Sequence, residues 1–170
     1  MTSAGDEPAG DPLLDPLLDP LLDPLPDPRL GLRVLHRRYV PYAHAHYAGN
    51  LVDGAYALGL FGDVATEVCI RTDGDEGLLA SYADVSFSGP VRAGDVIEVE
   101  AEVTRVGGRS RELALAARVV CRGRPDRGES AAEVLDPPLL AVTATATVVI
   151  ARRVAADTPS NRENDGEMSA

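Results

Sequence analysis

Four stretches in the second half of the chain alternate apolar and polar residues with a period of two. That is the pattern of strands with one face in a core. Leu79, Ser81, Ala83, Val85 and Phe87 share one face of the first, and Gly89-Pro90 ends it. In the second, Ile97, Val99, Ala101 and Val103 face one way and Glu98, Glu100 and Glu102 the other. Gly107-Gly108 makes a hairpin turn into the third, whose inner face is Leu113, Leu115, Ala117, Val119 and Cys121. Residues 123–138 hold three prolines and many charges, and read as an irregular insertion. The fourth strand sets Leu140, Val142, Ala144, Ala146, Val148 and Ile150 against a row of threonines.

The period changes ahead of these strands. From Leu51 to Ile70, Leu51, Ala55, Leu58, Ala65 and Cys69 recur at helical spacing, and the opposite side is small or apolar too. A helix apolar nearly all round is a buried one, and Asn50 is its expected N-cap. Gly54, Gly59 and Gly62 suit close approach by other backbone but make it a poor helix alone, so packing must hold it. Leu32 to Val40 alternates and predicts a first strand, ended by Pro41. One strand, one long helix and four antiparallel strands predict an α+β chain of the hotdog type, a sheet of about five strands wrapped around a central helix. One sheet leaves such a helix partly uncovered, so a homodimer is expected.

Residues 1–28 and 153–170 read as disordered tails around a domain at 29–152. DPLLDPLLDPLLDPLPDP (residues 11–28) has leucines on a helix-like period, but a proline at every fourth position forbids the helix. The tails also account for most of the net charge of −11. The first 28 residues carry seven acids and no base, whereas residues 29–152 hold 16 acids against 14 bases. All the bases are arginine. Without a basic face there is no electrostatic footprint for nucleic acid. Two cysteines are too few for a zinc site, and His44 and His46 have no third ligand at a matching spacing, so no metal is expected. No basic start with a continuous apolar run follows the first Met, and no stretch reaches the length of a membrane span. A cytoplasmic protein is the resulting expectation.

HYAGNLVDGAYALGLFGDVATE (residues 46–67), followed by TDGDEGLLASYADVSFSGPVRAGDVIEVEAEVTRVG (residues 72–107), resembles the hotdog-fold β-aminoacyl-CoA ammonia lyases. The HYxGNLVxG and GDVxTE elements carry the likeness, over about residues 36–152. The second half is looser and is shared with hotdog acyl-CoA thioesterases. The resemblance implies an acyl-CoA substrate, ammonia as co-substrate or product, and no cofactor beyond the coenzyme A of the substrate. The reaction it implies is reversible loss of ammonia from a 3-aminobutyryl-CoA or β-alanyl-CoA to give a 2-enoyl-CoA. Hydrolysis of a short-chain acyl-CoA is the alternative.

Such an elimination needs donors aimed at the thioester oxygen and a base at the α-carbon. The helix start offers the amides around Gly49 and Asn50, with His46, Tyr47 or the Asn50 side chain to orient the thioester. Asp63 and Glu67 are i,i+4 neighbours; mutual repulsion is expected to raise the pKa of one, as an acid/base residue requires. Helix length separates these carboxylates from Asn50, so one site is expected to be shared across a dimer, with a hexamer as the further possibility. Arg71, Arg109 and Arg111 are the expected hands for CoA phosphates, with Arg71 also able to pair with Glu67. Asp53 in the first turn is read mainly as helix stabilisation.

Overall fold

The computed structural model describes residues 25–151, so the arm over residues 1–24 and the tail over residues 152–170 lie outside it. Five antiparallel strands form one sheet in the order β1-β3-β4-β5-β2. They are β1 (Arg33–Tyr39), β2 (Leu78–Phe87), β3 (Val96–Val106), β4 (Ser110–Gly123) and β5 (Ala132–Val149). The helix α1 (Gly54–Asp73) joins β1 to β2, the two outer strands, and therefore crosses the whole sheet. Ala57, Phe61, Val64, Ala65, Val68 and Cys69 of α1 are buried against the inward rows of β3, β4 and β5. Those rows are the ones the period-two pattern predicts: Ile97, Val99, Ala101 and Val103, then Leu113, Leu115, Ala117 and Val119, then Val142, Ala144, Ala146 and Val148. This is the hotdog arrangement. Among the described residues no helix is long and apolar enough to cross a membrane.

Four expectations need correction. The helix is buried on one face only; Ala55, Gly59, Asp63 and Ile70 are exposed, because a single sheet has one concave side. Gly59 and Gly62 meet nothing within 4 Å of a Cβ position, so close backbone approach is not their role within one chain. In β2 the expected inner row is exposed and Tyr82 alone is half-buried, its hydroxyl donating to the Leu58 carbonyl at 2.7 Å. Two register shifts against β5, at Leu79/Ser81 and Ala83/Ser86, break the simple alternation there. Finally, residues 123–138 are not wholly irregular. Cys121, Arg122 and Gly123 pair with Val134, Glu133 and Ala132, so β4 and β5 continue past the sheet as a hairpin.

The two ends of α1 are fixed by charge. Asp53 caps the start, its Oδ1 accepting from the Tyr56 amide at 3.0 Å. Gly74 closes the other end in the left-handed conformation (φ 65°), which a glycine adopts without a Cβ penalty. There Asp73 accepts from Arg111 and from Arg29 (3.0 Å), tying the helix to β4 and to the segment before β1.

Candidate active site

Asn50 is not the helix cap. It lies in a short turn, Ala48–Asn50, in which both Gly49 (φ 74°) and Asn50 (φ 61°) are left-handed. Asn and Gly tolerate that region better than other residues. The turn is held across the chain: Asn50 O accepts from Ala93 N (2.8 Å) and Val91 O from Val52 N (3.1 Å). The helix therefore starts three residues later than expected, and its orphan first-turn amides are those near Gly54 rather than Gly49 and Asn50. Asp53, read from sequence as helix-stabilising, is the cap itself.

Two hollows flank this helix start, and Asp53 lines both. On one side is a mostly apolar cavity of about 290 Å³ bounded by Tyr47, Leu51, Gly54, Ala57, Phe87 and Val91. Phe87 forms one wall; a Cβ on Gly54 would stand 2.7 Å from its ring, so glycine lets the ring lie against the helix. On the other side is an open cleft of about 670 Å³ running along the exposed face of α1, lined by Arg38, Tyr39, His44, Tyr56, Leu60 and Asp63. His44 stacks tilted on Tyr56 with centroids 4.7 Å apart, so it joins the cleft wall. His46 is exposed, packs edge-on against Tyr47 at 4.4 Å, and brings Nδ1 to 4.0 Å from Asp53 Oδ2. Among the described residues no three His, Cys, Asp or Glu side chains gather as metal ligands. The buried Cys69 thiol is pushed up to about 11 by burial, which makes it a poor nucleophile.

The expected carboxylate pair splits. Glu67 Oε2 accepts from His36 Nε2 at 2.6 Å, and Oε1 accepts from Arg71 Nε at 2.7 Å. His36 first, then Arg71, hold this carboxyl below its ordinary value, the opposite of the rise expected from repulsion by Asp63. The partner that matters comes from β1, 31 positions away, and only chain tracing brings it there. Asp63 is exposed, with Arg38 at 4.0 Å, beyond hydrogen-bond reach. Sequence reasoning overlooked His36 and Arg38; the signal available was their i,i+2 spacing on a strand, which puts both on one face.

The arginines proposed for phosphates are also placed. Arg71 is in the last turns of α1 and engaged by Glu67. Arg109 donates to the Ile150 carbonyl at 3.3 Å, and Arg111 is buried against Asp73. Arg71, and Arg111 on Asp73, sit at the far end of α1, about 20 Å or more along its axis from Ala57 of the cavity, and Arg109 lies beside Ile150. They do not reach the cavity of their own chain.

Glu67 also makes a stability prediction. Its folded pKa is depressed from the ordinary 4.5, so its contribution is present above that value and lost as pH falls through the folded pKa. His36→Gln is therefore expected to be less stable than wild type at about pH 6, and the gap to narrow at about pH 3.5. Urea midpoints of both proteins at the two pH values check this; a gap that widens on acidification contradicts it.

The thioesterase superfamily model matches residues 49–127, which span α1, β2, β3 and all of β4. A curated relative from Acetoanaerobium sticklandii, named 3-aminobutyryl-CoA ammonia lyase, is 51% identical over 106 residues, covering 62% of this chain and 84% of the relative. This chain belongs to the hotdog-fold β-aminoacyl-CoA ammonia lyase family. A solved member of the family, the β-alanyl-CoA:ammonia lyase of Clostridium propionicum, superposes with a TM-score of 0.68 at 35% identity, over 72% of this chain and 87% of that one. A hexameric hotdog thioesterase of Campylobacter jejuni shares the fold at 19% identity and a TM-score of 0.58, over 69% and 82% of the two chains. The ammonia lyase likeness is the stronger in both sequence and structure.

Proposed function

We propose that this protein reversibly eliminates ammonia from a short 3-aminoacyl-CoA, such as 3-aminobutyryl-CoA or β-alanyl-CoA, to give the 2-enoyl-CoA. The observation that carries the reading is the 51% identity to the 3-aminobutyryl-CoA ammonia lyase across 84% of that protein's length. The site is chemically consistent with it. The cavity beside Gly54 suits a short acyl group, and the helix start beside it supplies first-turn amides and a positive dipole end for the thioester oxygen. Tyr47, which lines this cavity, and His46, packed edge-on against it, orient the thioester, while Gly49 and Asn50 shape the turn that follows them. A carboxylate of the row Asp63–Glu67 on the open face of α1 serves as the base at the α-carbon.

Ten residues along a helix separate Asp53 from Asp63 by about 15 Å, too far for one α-carbon to meet both. A homodimer that sets the open face of one α1 beside the cavity of a second copy meets that requirement. Outer strand β2, with Leu78, Val85 and Phe87 exposed, is an apolar edge suited to such pairing. The expected result with purified protein is ammonium-dependent consumption of crotonyl-CoA, followed as the loss of enoyl absorbance, with no thiol released in parallel. Free thiol without an amine adduct would place the protein with the thioesterases instead.

A further inference from the structure

We infer that Asp63, rather than Glu67, carries the α-proton, and that His36 and Arg71 hold Glu67 as a clamp that positions α1 against β1; the inference rests on the lyase reading above. The two carboxylates are one turn apart but differently engaged. Both Glu67 oxygens are taken: Oε2 by His36 Nε2 at 2.6 Å, and Oε1 by Arg71 through Nε at 2.7 Å and Nη2 at 2.6 Å. A carboxylate in two short charge-assisted bonds would have to break one of them before turning a lone pair toward a carbon acid. Asp63 has no such bond. Its side chain is 57% exposed, Arg38 stands 4.0 Å away, and its oxygens open onto the cleft that Tyr56 and His44 line.

The charged and titratable groups around the pair come from every neighbouring element. β1 contributes His36, Arg38 and Tyr39, the following loop His44, and α1 itself Asp53, Tyr56 and Arg71. Of these, the groups within ion-pair distance of Glu67 are His36 and Arg71. The clamp is thus a link between strand and helix, and it fixes the rotation of α1 that aims Asp63 into the cleft. His36 is a positioning residue.

The step balances as follows. An Asp63 oxygen takes the hydrogen from C2, and the C–H electron pair moves into the thioester as an enolate. Its return forms the C2–C3 double bond and breaks C3–N, and the β-ammonium group, protonated before the step, takes the C–N pair and leaves as neutral ammonia. In the adding direction Asp63 returns the proton to C2.

Exchange of the C2 hydrogens of butyryl-CoA with D2O, read by mass, reports this proton transfer alone, because that thioester has no amino group to lose. Wild type is expected to exchange, and Asp63→Asn to exchange at least about 10²-fold more slowly with an unchanged KM. Glu67→Gln and His36→Gln are expected to lose less than about 10-fold, to melt at lower temperature, and to keep the acid limb of the exchange-rate profile where wild type has it. Since Glu67→Gln can fail to fold, His36→Gln carries the test by itself: freeing Glu67 from His36 must move the acid limb if Glu67 is the base. A limb that moves, a Glu67→Gln protein that folds but does not exchange, an Asp63→Asn protein that exchanges normally, or a wild type that does not exchange each overturns the assignment. Failure of the lyase reading looks different: C2 exchange proceeds, but no ammonia adds to crotonyl-CoA.

Discussion

Asp73→Ala is expected to lower the unfolding free energy by about 3–5 kcal/mol. Arg111 is 2% exposed and points its Nε and Nη2 at the two Asp73 oxygens, while Nη1 donates to the Gly107 and Ser110 carbonyls at 2.8 and 2.7 Å. Removing the carboxylate leaves a guanidinium that cannot shed its proton in a nearly dry place. It also removes one of the two carboxylates that Arg29 holds and the side-chain partner of Thr72. Burial acts to raise the Asp73 pKa, yet the bonds from Arg111 and Thr72 outweigh it and leave the carboxyl lowered, so the pair is net favourable in its ionised form. Thermal melting reads the loss as a drop of roughly 10 °C. The double variant Asp73→Ala/Arg111→Met is expected to recover part of it, since it removes the unpaired charge but leaves two carbonyls without a donor. A single variant that melts with wild type would show that the pair adds nothing.

Phe61→Ala is expected to cost a similar 3–5 kcal/mol, for a different reason. Phe61 is fully buried where α1 crosses the middle of the sheet. Its helix carries Gly59 and Gly62 in its interior, each costing about 1 kcal/mol relative to alanine. Hydrophobic burial therefore has to hold the helix on the sheet, and Phe61 is the largest side chain in that contact. Truncation leaves a cavity that neighbours on rigid strands cannot close. The chemical denaturation midpoint should fall with little change in m-value if the fold persists. Phe61→Leu, which keeps most of the volume, should recover most of the loss. Equal stability of the alanine variant and wild type would mean that α1 is held by something other than this packing.

Both predictions concern how α1 is seated, and the candidate chemistry depends on the same seating. Asp53 at its start and Asp63 along its open face reach their hollows because Phe61 and its buried neighbours seat the helix on the sheet. The clamp of His36 and Arg71 on Glu67 adds a polar link at one edge.

The chain itself determined the elements and much of the chemistry. Rows such as Ile97, Val99, Ala101 and Val103 alternate because side chains on a strand point to opposite faces, and that rule needs no partner to be read. The helical spacing after Leu51 and the HYxGNLVxG and GDVxTE elements were likewise legible, since helix formation and motif chemistry are local. Tertiary structure decided three things. It moved the helix cap from Asn50 to Asp53, two residues with equal capping propensity, because hydrogen bonds from Val52 and Ala93 pin the preceding turn to a loop some 40 positions away. It exposed β2, because strand order, not strand pattern, makes a strand an edge. And it separated Asp63 from Glu67: spacing along a helix says that two carboxylates are neighbours, but only the strand packed beside them says that one faces His36 and the other a cleft.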